Sequence, residues 1–485
     1  MRAMDSARLT GLLGIAAITI SICFVSTEAG ASRILIKPKV DARAQALLQL
    51  GENQSAAVFQ TFPKMGGLQI LTLPPNQDPE RVVAEYQSSG LVEFAEMDRV
   101  GHVFATPNDP KYLDGTLWAL NNTGQNGGLN DADIDAPEAW DLRNSASNII
   151  VAVLDTGVRY THEDLASNMW VSPNDGSHGW NTIDQNNDPS DAQTHGTMVA
   201  GILGAAGNNG KGVTGVAWKV QMIACKCFNS GGSGLVSDVI ICMDYAKTNG
   251  ARIINASFGF SDSTALSNAV LSLRDAGVIV VAACGNSSAN VDVTPTFPAC
   301  YRFDNIVSVA YTTRNDLLAT PSNFGPTNVH LAAPGENITT TFPATDSFYF
   351  SNSGSSFAAP YVSGAIALVL AHFPAEPYQL AIQRILDGVD PLPSLSGKCM
   401  TGGRLNLHNA LSPPIRLGVV NSDPANFTLR VTAGPNRTCT VEASTNLVSW
   451  FPLVTNTTST AGFYDFRDAA SAESAKKFYR ALSAP

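Results

Sequence analysis

Gly354-Ser355-Ser356-Phe357-Ala358-Ala359-Pro360-Tyr361-Val362-Ser363-Gly364-Ala365-Ile366-Ala367-Leu368-Val369-Leu370 is the stretch on which the reading of this chain turns. Two serines lead straight into a run of small and apolar residues. A helix with no polar face has to be buried inside a sizeable domain. Pro360 comes early, where a helix tolerates a missing N–H. Ser356 then stands at the N-terminus of a buried helix, where free N–H groups and the positive end of the dipole favour negative charge. That setting suits a serine that must act as a nucleophile beside a tetrahedral oxyanion. A serine N-cap on a packed helix reads the same way.

A serine hydroxyl needs a base, and the base needs a group to orient it. Ile149 to Leu154 is a short continuous apolar run, as expected of a central parallel strand, and it ends in Asp155-Thr156-Gly157. A carboxylate at the carboxyl end of a buried strand is where open α/β sheets place their chemistry. Thr194-His195-Gly196-Thr197 precedes a second small, apolar segment, Met198 to Gly204. Val278 to Ala283 reads as another buried strand and runs into Cys284-Gly285-Asn286. Val220 to Cys225, the helical spacing of Val236 to Thr248, and Arg252 to Asn255 continue the alternation. The fold class is therefore α/β, a doubly wound parallel sheet.

Asp155 in Asp-Thr-Gly, His195 in His-Gly-Thr and Ser356 in Gly-Ser-Ser-x-Ala-x-Pro, in that chain order, resemble the subtilisin family of serine endopeptidases (subtilases) over roughly Trp118 to Leu411. The resemblance implies a triad of Asp155, His195 and Ser356, with the Asn286 side chain donating to the oxyanion. It implies two edges that flank an extended peptide, Gly232-Ser233-Gly234 and Ser257-Phe258-Gly259, with Phe258 narrowing the distal pocket. Ala283 and Gly285 would wall a primary pocket that holds no acid and so favours apolar side chains. It also implies structural Ca2+ at Asp164 and at the loop Gly207 to Val213 that carries Asn209, although Lys211 in that loop is a cation where the metal would sit. Asp184, Asp188 and Asp191, with Asn186, form a second acidic loop that is a candidate for the same ion. This chain departs from the family pattern at Phe357, Ser355, Met198 and Cys284, where methionine, threonine, histidine and alanine are usual. Phe357 and Cys284 are expected to reshape the wall of the primary pocket.

Arg2 and Arg8 ahead of the apolar Leu9 to Val25, then Ala29-Gly30-Ala31, read as a secretory signal over residues 1–31. A secreted protein without a lasting membrane anchor follows. Residues 32–106 give the order βαββαβ of a ferredoxin-like unit and resemble the inhibitory propeptide of secreted subtilases, with cleavage near Val103 to Asn108. The implied partners are polypeptide substrates and the chain's own propeptide as an intramolecular inhibitor, around a monomeric catalytic domain at 107–412. Pro413-Pro414 open a change of character. Short alternating segments over residues 413–485 suit a small β-sandwich that binds a surface polymer, serves export or acts as a spacer.

A formal charge of −11 and a pI near 5.1 argue against nucleic acid as a partner. Of eight cysteines, one falls in the signal. Cys284 with Cys300 is the first expected bridge and Cys225 or Cys227 with Cys242 the next, with an odd thiol left over. Two rivals remain. A catalytically silent adhesion protein would not need all four site positions filled, and an esterase would carry a Gly-x-Ser-x-Gly elbow, which is missing around Ser356.

Overall fold

A computed structural model describes residues 33–39, 44–74, 77–98 and 105–413, and all of 415–483 except 424–425, 435–436, 448, 460–461 and 470–475. The signal, with its cleavage site, and the first part of the expected propeptide junction lie outside the described residues. The chain divides into two compact units, Met1–Val103 and Phe104–Pro485.

In the first unit, strands β1 (Arg33–Pro38), β2 (Ala57–Phe62), β3 (Leu68–Thr72) and β4 (Val92–Met97) form an antiparallel sheet in the order β2-β3-β1-β4. Helices α1 (Ala44–Asn53) and α2 (Pro79–Ser88) fall between them, so the order is the expected βαββαβ. Its core is Ile34, Ile36, Leu71, Val82 and Tyr86, drawn from the alternate positions of β1 and one face of α2. Its last strand, β4, ends at Met97.

The second unit opens with α3 (Pro110–Leu113) and α4 (Ala136–Leu142) and then builds a nine-stranded sheet. Its strands are β5 (Ser145–Asp155), β6 (Gly179–Asn181), β7 (Lys219–Lys226), β8 (Ile253–Ala256), β9 (Ile279–Ala283), β10 (Ile306–Thr312) and β11 (Leu331–Pro334). A hairpin, β12 (Ile338–Phe342) with β13 (Phe348–Asn352), stands apart, and two short strands, β14 (Asp390–Pro391) and β15 (Gly403–Arg404), complete the sheet in the order β14-β15-β11-β10-β9-β8-β5-β7-β6. Every pair from β15 to β6 is parallel. Helices α5 (His195–Gly204), α6 (Val236–Thr248), α7 (Thr264–Asp275), α8 (Ser355–His372), α9 (Tyr378–Asp387) and α10 (Leu407–Leu411) supply the crossovers and the covering layers. Residues 403–411 form β15 and the short α10, with Arg404 held at the sheet edge by Asp316 and Asp390.

Helix α8 is the axle. Almost all of its residues are buried, and it lies against β5, β8, β9, β10 and β11 and against α5. By length and composition it would pass for a membrane span, yet its apolar surface is spent inside the domain. At about 25 cal/mol per Å2, each fully buried leucine, isoleucine or valine along it contributes roughly 2 kcal/mol.

Strands β16 (Arg416–Asn421), β17 (Thr428–Thr432) and β20 (Phe463–Arg467) form one C-terminal sheet, and β18 (Thr438–Ser444), β19 (Phe451–Thr457) and β21 (Phe478–Ser483) form another. They enclose their own small core of Leu429, Val431, Cys439, Val441 and Tyr464. The sandwich reading holds, with β16 an additional strand.

The expected disulfides do not form. All seven described cysteines are free and buried. Cys225, Cys227 and Cys242 lie in one apolar cluster and Cys284, Cys300 and Cys399 in another, where they fill space as small hydrophobes. Burial pushes the Cys284 thiol up to about 12.

Candidate active site

Strands β7 and β8 flank β5, with Lys226 paired to Asp155 and Ala256 to Leu154, so all three end at nearly the same level and Asp155 stands at the carboxyl edge of the sheet. Asp155 is only 3% exposed, and Thr156 donates its backbone N–H to the carboxylate at 2.7 Å. His195 is the first residue of α5, and its Nδ1 lies 2.8 and 2.9 Å from the two carboxylate oxygens. With the ring proton on Nδ1, Nε2 is left as the basic atom. Burial pulls the imidazole pKa down. The charge and hydrogen bond of Asp155 outweigh it, so the ring ends above its ordinary value.

The approach is close. A Cβ on Gly196 would stand 2.1 Å from the Gly157 carbonyl and 2.9 Å from Asp155 Cβ, so only glycine lets α5 start here. Thr194, just before the histidine, is held at φ 146°, a strained conformation for a β-branched residue. Asp191 maintains it: Oδ1 accepts from the N–H groups of Gln193 and Thr194 and from the Thr156 hydroxyl, and Oδ2 accepts from the Thr197 N–H and hydroxyl. Asp191, expected as a metal ligand, is instead the clamp of the histidine loop.

Ser356 lies in the first turn of α8 and is partly exposed; its Oγ donates to the Ser257 carbonyl at 3.2 Å. The next ring, Phe357, is buried in the main core, with its centroid 5.6 Å from the His195 ring centroid. Phe357 therefore backs the imidazole. Asn286 is exposed, and its Oδ1 accepts from the Ser355 N–H at 2.8 Å and from the Ser355 hydroxyl at 2.9 Å. The Ser355 hydroxyl in turn accepts from the Gly285 N–H at 3.0 Å. Sequence reading passed over Ser355 as a mild change, yet it fixes the Asn286 amide oxygen and so leaves Nδ2 as the outward donor.

Gly232, at φ 72°, Ser233 and Gly234 form a turn organised by the Asn229 side chain. Ser257, Phe258 and Gly259 follow the end of β8. Phe258 joins Phe228 and Phe260 in a triangle of rings with centroids 5.1, 6.0 and 5.7 Å apart, so it bridges both edges. Ala283 is buried at the end of β9 and Gly285 follows at φ 106°. Cys284 faces away: its Sγ donates to the Asn323 carbonyl at 3.2 Å, in a separate small core, so it does not shape the wall as expected.

The two acidic loops differ. Asp184 accepts from Asn181, and Asp188 accepts from Ser190 and Tyr160. One oxygen of each is taken up by these neighbouring donors, and among the described residues no group of three His, Cys, Asp or Glu gathers as a metal site. Asp164 and Asn209 do meet, with Asn209 Nδ2 donating to Asp164 Oδ1 at 2.8 Å, while the Val213 N–H and the Tyr349 hydroxyl reach Oδ2. Beside them lies Asp109, which sequence reading missed. It is fully buried, and its Oδ1 has no partner. Burial pushes this carboxyl up to about 6, and the Asp164 charge adds to that. Lys211 turns its ammonium toward Glu163, at 3.8 Å, and leaves the gap open. Two buried carboxylates with one orphaned oxygen fit a hard divalent cation.

Comparison with known proteins agrees with this geometry. The sequence model of the subtilase family matches residues 146–386. The chain is 32% identical over 402 residues to a thermophilic serine proteinase of a Bacillus species (strain AK1), covering 81% of this chain and 91% of that one. It is 33% identical over 308 residues to thermitase of Thermoactinomyces vulgaris, covering 63% of this chain and 99% of that one. It is also similar to a solved protease of Pseudoalteromonas arctica, with a TM-score of 0.53 and 28% identity over 63% of this chain and 99% of that one. The chain belongs to the subtilase family and is a serine-type endopeptidase.

Proposed function

We propose that this protein is an exported, self-activating endopeptidase that works through Ser356, His195 and Asp155. His195 Nε2 takes the hydroxyl proton as Ser356 Oγ attacks the scissile carbonyl, then gives it to the leaving amine. Asp155 holds the tautomer and stabilises the imidazolium. Asn286 Nδ2 and the Ser356 N–H receive the oxyanion, and water hydrolyses the acyl-enzyme. The observation that carries this reading is the His195 ring, held by both oxygens of Asp155 and backed by Phe357, the residue next to the nucleophile.

Residues 1–31 direct export, 32–106 inhibit and are removed by the enzyme itself, 107–412 catalyse, and 413–485 form an appended module. A relative named as a cell wall-associated protease of Bacillus subtilis, 32% identical over 328 residues, supports an extracellular setting. Asp109, Asp164 and Asn209 hold a structural Ca2+, which supplies positive charge to the two buried carboxylates.

Intact mass and casein hydrolysis test this on wild type and Ser356→Ala secreted from a bacterial host. Wild type is expected to mature near residue 105 and to cleave casein, while Ser356→Ala keeps the propeptide and cleaves nothing. Equal maturation with no cleavage by either protein overturns the reading.

A further inference from the structure

Pro360 is the sixth residue of α8. In an α-helix its N–H would bond to the carbonyl four residues earlier, and proline has none. The carbonyl left open is that of Ser356. Ser257 fills the vacancy: its Oγ donates to the Ser356 carbonyl at 2.9 Å, while its own backbone carbonyl accepts from Ser356 Oγ at 3.2 Å. One residue thus holds Ser356 by both its main chain and its side chain.

Ser257 is itself aimed. Asn255 Nδ2 donates to Ser257 Oγ at 3.0 Å, and Asn255 Oδ1 accepts from the Ser363 hydroxyl at 2.8 Å. A hydroxyl has one proton to give, so with Asn255 donating into it, Ser257 Oγ must spend its proton on Ser356. The relay starts at Ser363 on α8, crosses to Asn255 on β8, and returns to α8 two turns earlier. Asn255 and Ser363 are fully buried and Ser257 is 6% exposed, so water does not compete for these bonds.

We propose that Ser363, Asn255 and Ser257 are a positioning relay for the nucleophile, made necessary by Pro360. It sets the direction of the Ser356 peptide, and with it both Oγ and the N–H that faces the oxyanion. Misplacement of a reacting group by about 1 Å costs about a hundredfold. This inference rests on Ser356 being the nucleophile.

The test uses the mature enzyme, succinyl-Ala-Ala-Pro-Phe p-nitroanilide, and active sites counted with a fluorophosphonate. Ser257→Ala is expected to lower kcat per active site ~10–100-fold, with KM within about twofold, because the loss falls on the reacting geometry and not on substrate binding. Pro360→Ala returns an N–H to the Ser356 carbonyl, so in that background Ser257→Ala should cost no more than about twofold. Ser363→Ala, at the far end of the relay, should lower kcat about threefold with the same unchanged KM. Alanine is the better helix former, so the Pro360 variant does not endanger folding. Unchanged kcat in Ser257→Ala, or an equal loss in the Pro360→Ala background, overturns the relay. If Ser356→Ala itself remains active, the reading of the site fails first.

Discussion

Asp155 and Asp109 are both carboxylates taken out of water, 3% and 0% exposed, yet the chain treats them differently. Both oxygens of Asp155 face a protonated ring nitrogen, and a backbone N–H adds a third bond. Asp109 accepts backbone N–H groups, that of Asn208 at 2.7 Å among them, but keeps its Oδ1 without a partner near a second carboxylate. Removing an ion from water costs several kcal/mol unless a counter-charge answers it. Where the chain supplies that answer, the charge is available to orient a base. Where it withholds it, the answer must come from solution.

The sharpest way to break the contrast is Asp155→Asn, which is expected to lower kcat ~10,000-fold because the wrong tautomer is stabilised. The residual pH profile moves as well. His195 must be neutral to act, so wild-type activity rises with pH through a value above the ordinary imidazole range. Without the carboxylate, burial dominates and that limb shifts to lower pH. As a stability effect the sign is opposite: the pairing contributes fully below the unfolded imidazole value and is lost as pH rises through the raised folded one. A stopped-assay pH series on both proteins checks this, and an unmoved limb would show that Asp155 does not set the imidazole.

Asn286→Ala should lower kcat ~100–1,000-fold with little change in KM. Asn286 is exposed, so the melting temperature should stay put, and a fall in stability equal to the loss of rate would make its role structural.

The Asp109 side of the comparison is read by calcium. Adding the ion to chelated enzyme at ~100 times its Kd should stabilise it by about 2.7 kcal/mol, or roughly 5 °C in a thermal melt. Asp109→Asn should raise the melting temperature of the chelated enzyme while shrinking its response to the ion. If that variant responds like wild type, the cation sits elsewhere.

The smallest effect comes from a third setting. Burial, with Asp133 nearby, pushes Asp135 up to about 7, and burial pushes Asp133 itself up to about 6. Arg404 is committed to Asp316 and Asp390. Folded acids with raised values cost stability progressively as pH climbs from the unfolded value, about 4, to the folded one. Asp135→Asn should therefore raise the melting temperature by a degree or two at pH 8 and hardly at all at pH 5. A larger gain at pH 5 would reverse the sign and reject the assignment.

The parallel sheet, the buried α8 and the settings of Asp155, His195, Ser356 and Asn286 were legible because each depends on a local pattern: an apolar run with a polar residue at one end, after it for Asp155 and Asn286 and before it for His195 and Ser356. Asp109 was not, since its environment is made by Asp164 and Asn208, far along the chain. The acidic loop before His195 misled for a related reason. Closely spaced Asp and Asn suit a metal, but they equally suit turns in which each carboxylate caps a neighbouring N–H, as Asp191 does for Gln193 and Thr194. Cysteine counting misled because the seven described thiols are all buried and pack as small apolar groups. The short strand at Arg404 was not legible either, since it is held by ion pairs to the distant Asp316 and Asp390.

The position of α8 also bears on how the protein is made. Five strands of the sheet rest on this one helix, yet its last residue, His372, is synthesised after all five of them. Until it emerges from the ribosome, β5 and β8 to β11 have no inner face to lie on, so the growing chain has nothing native to close around. Folding of the catalytic body must wait for nearly its whole length and then proceed through contacts far apart in sequence, which is slow and leaves sticky strands waiting.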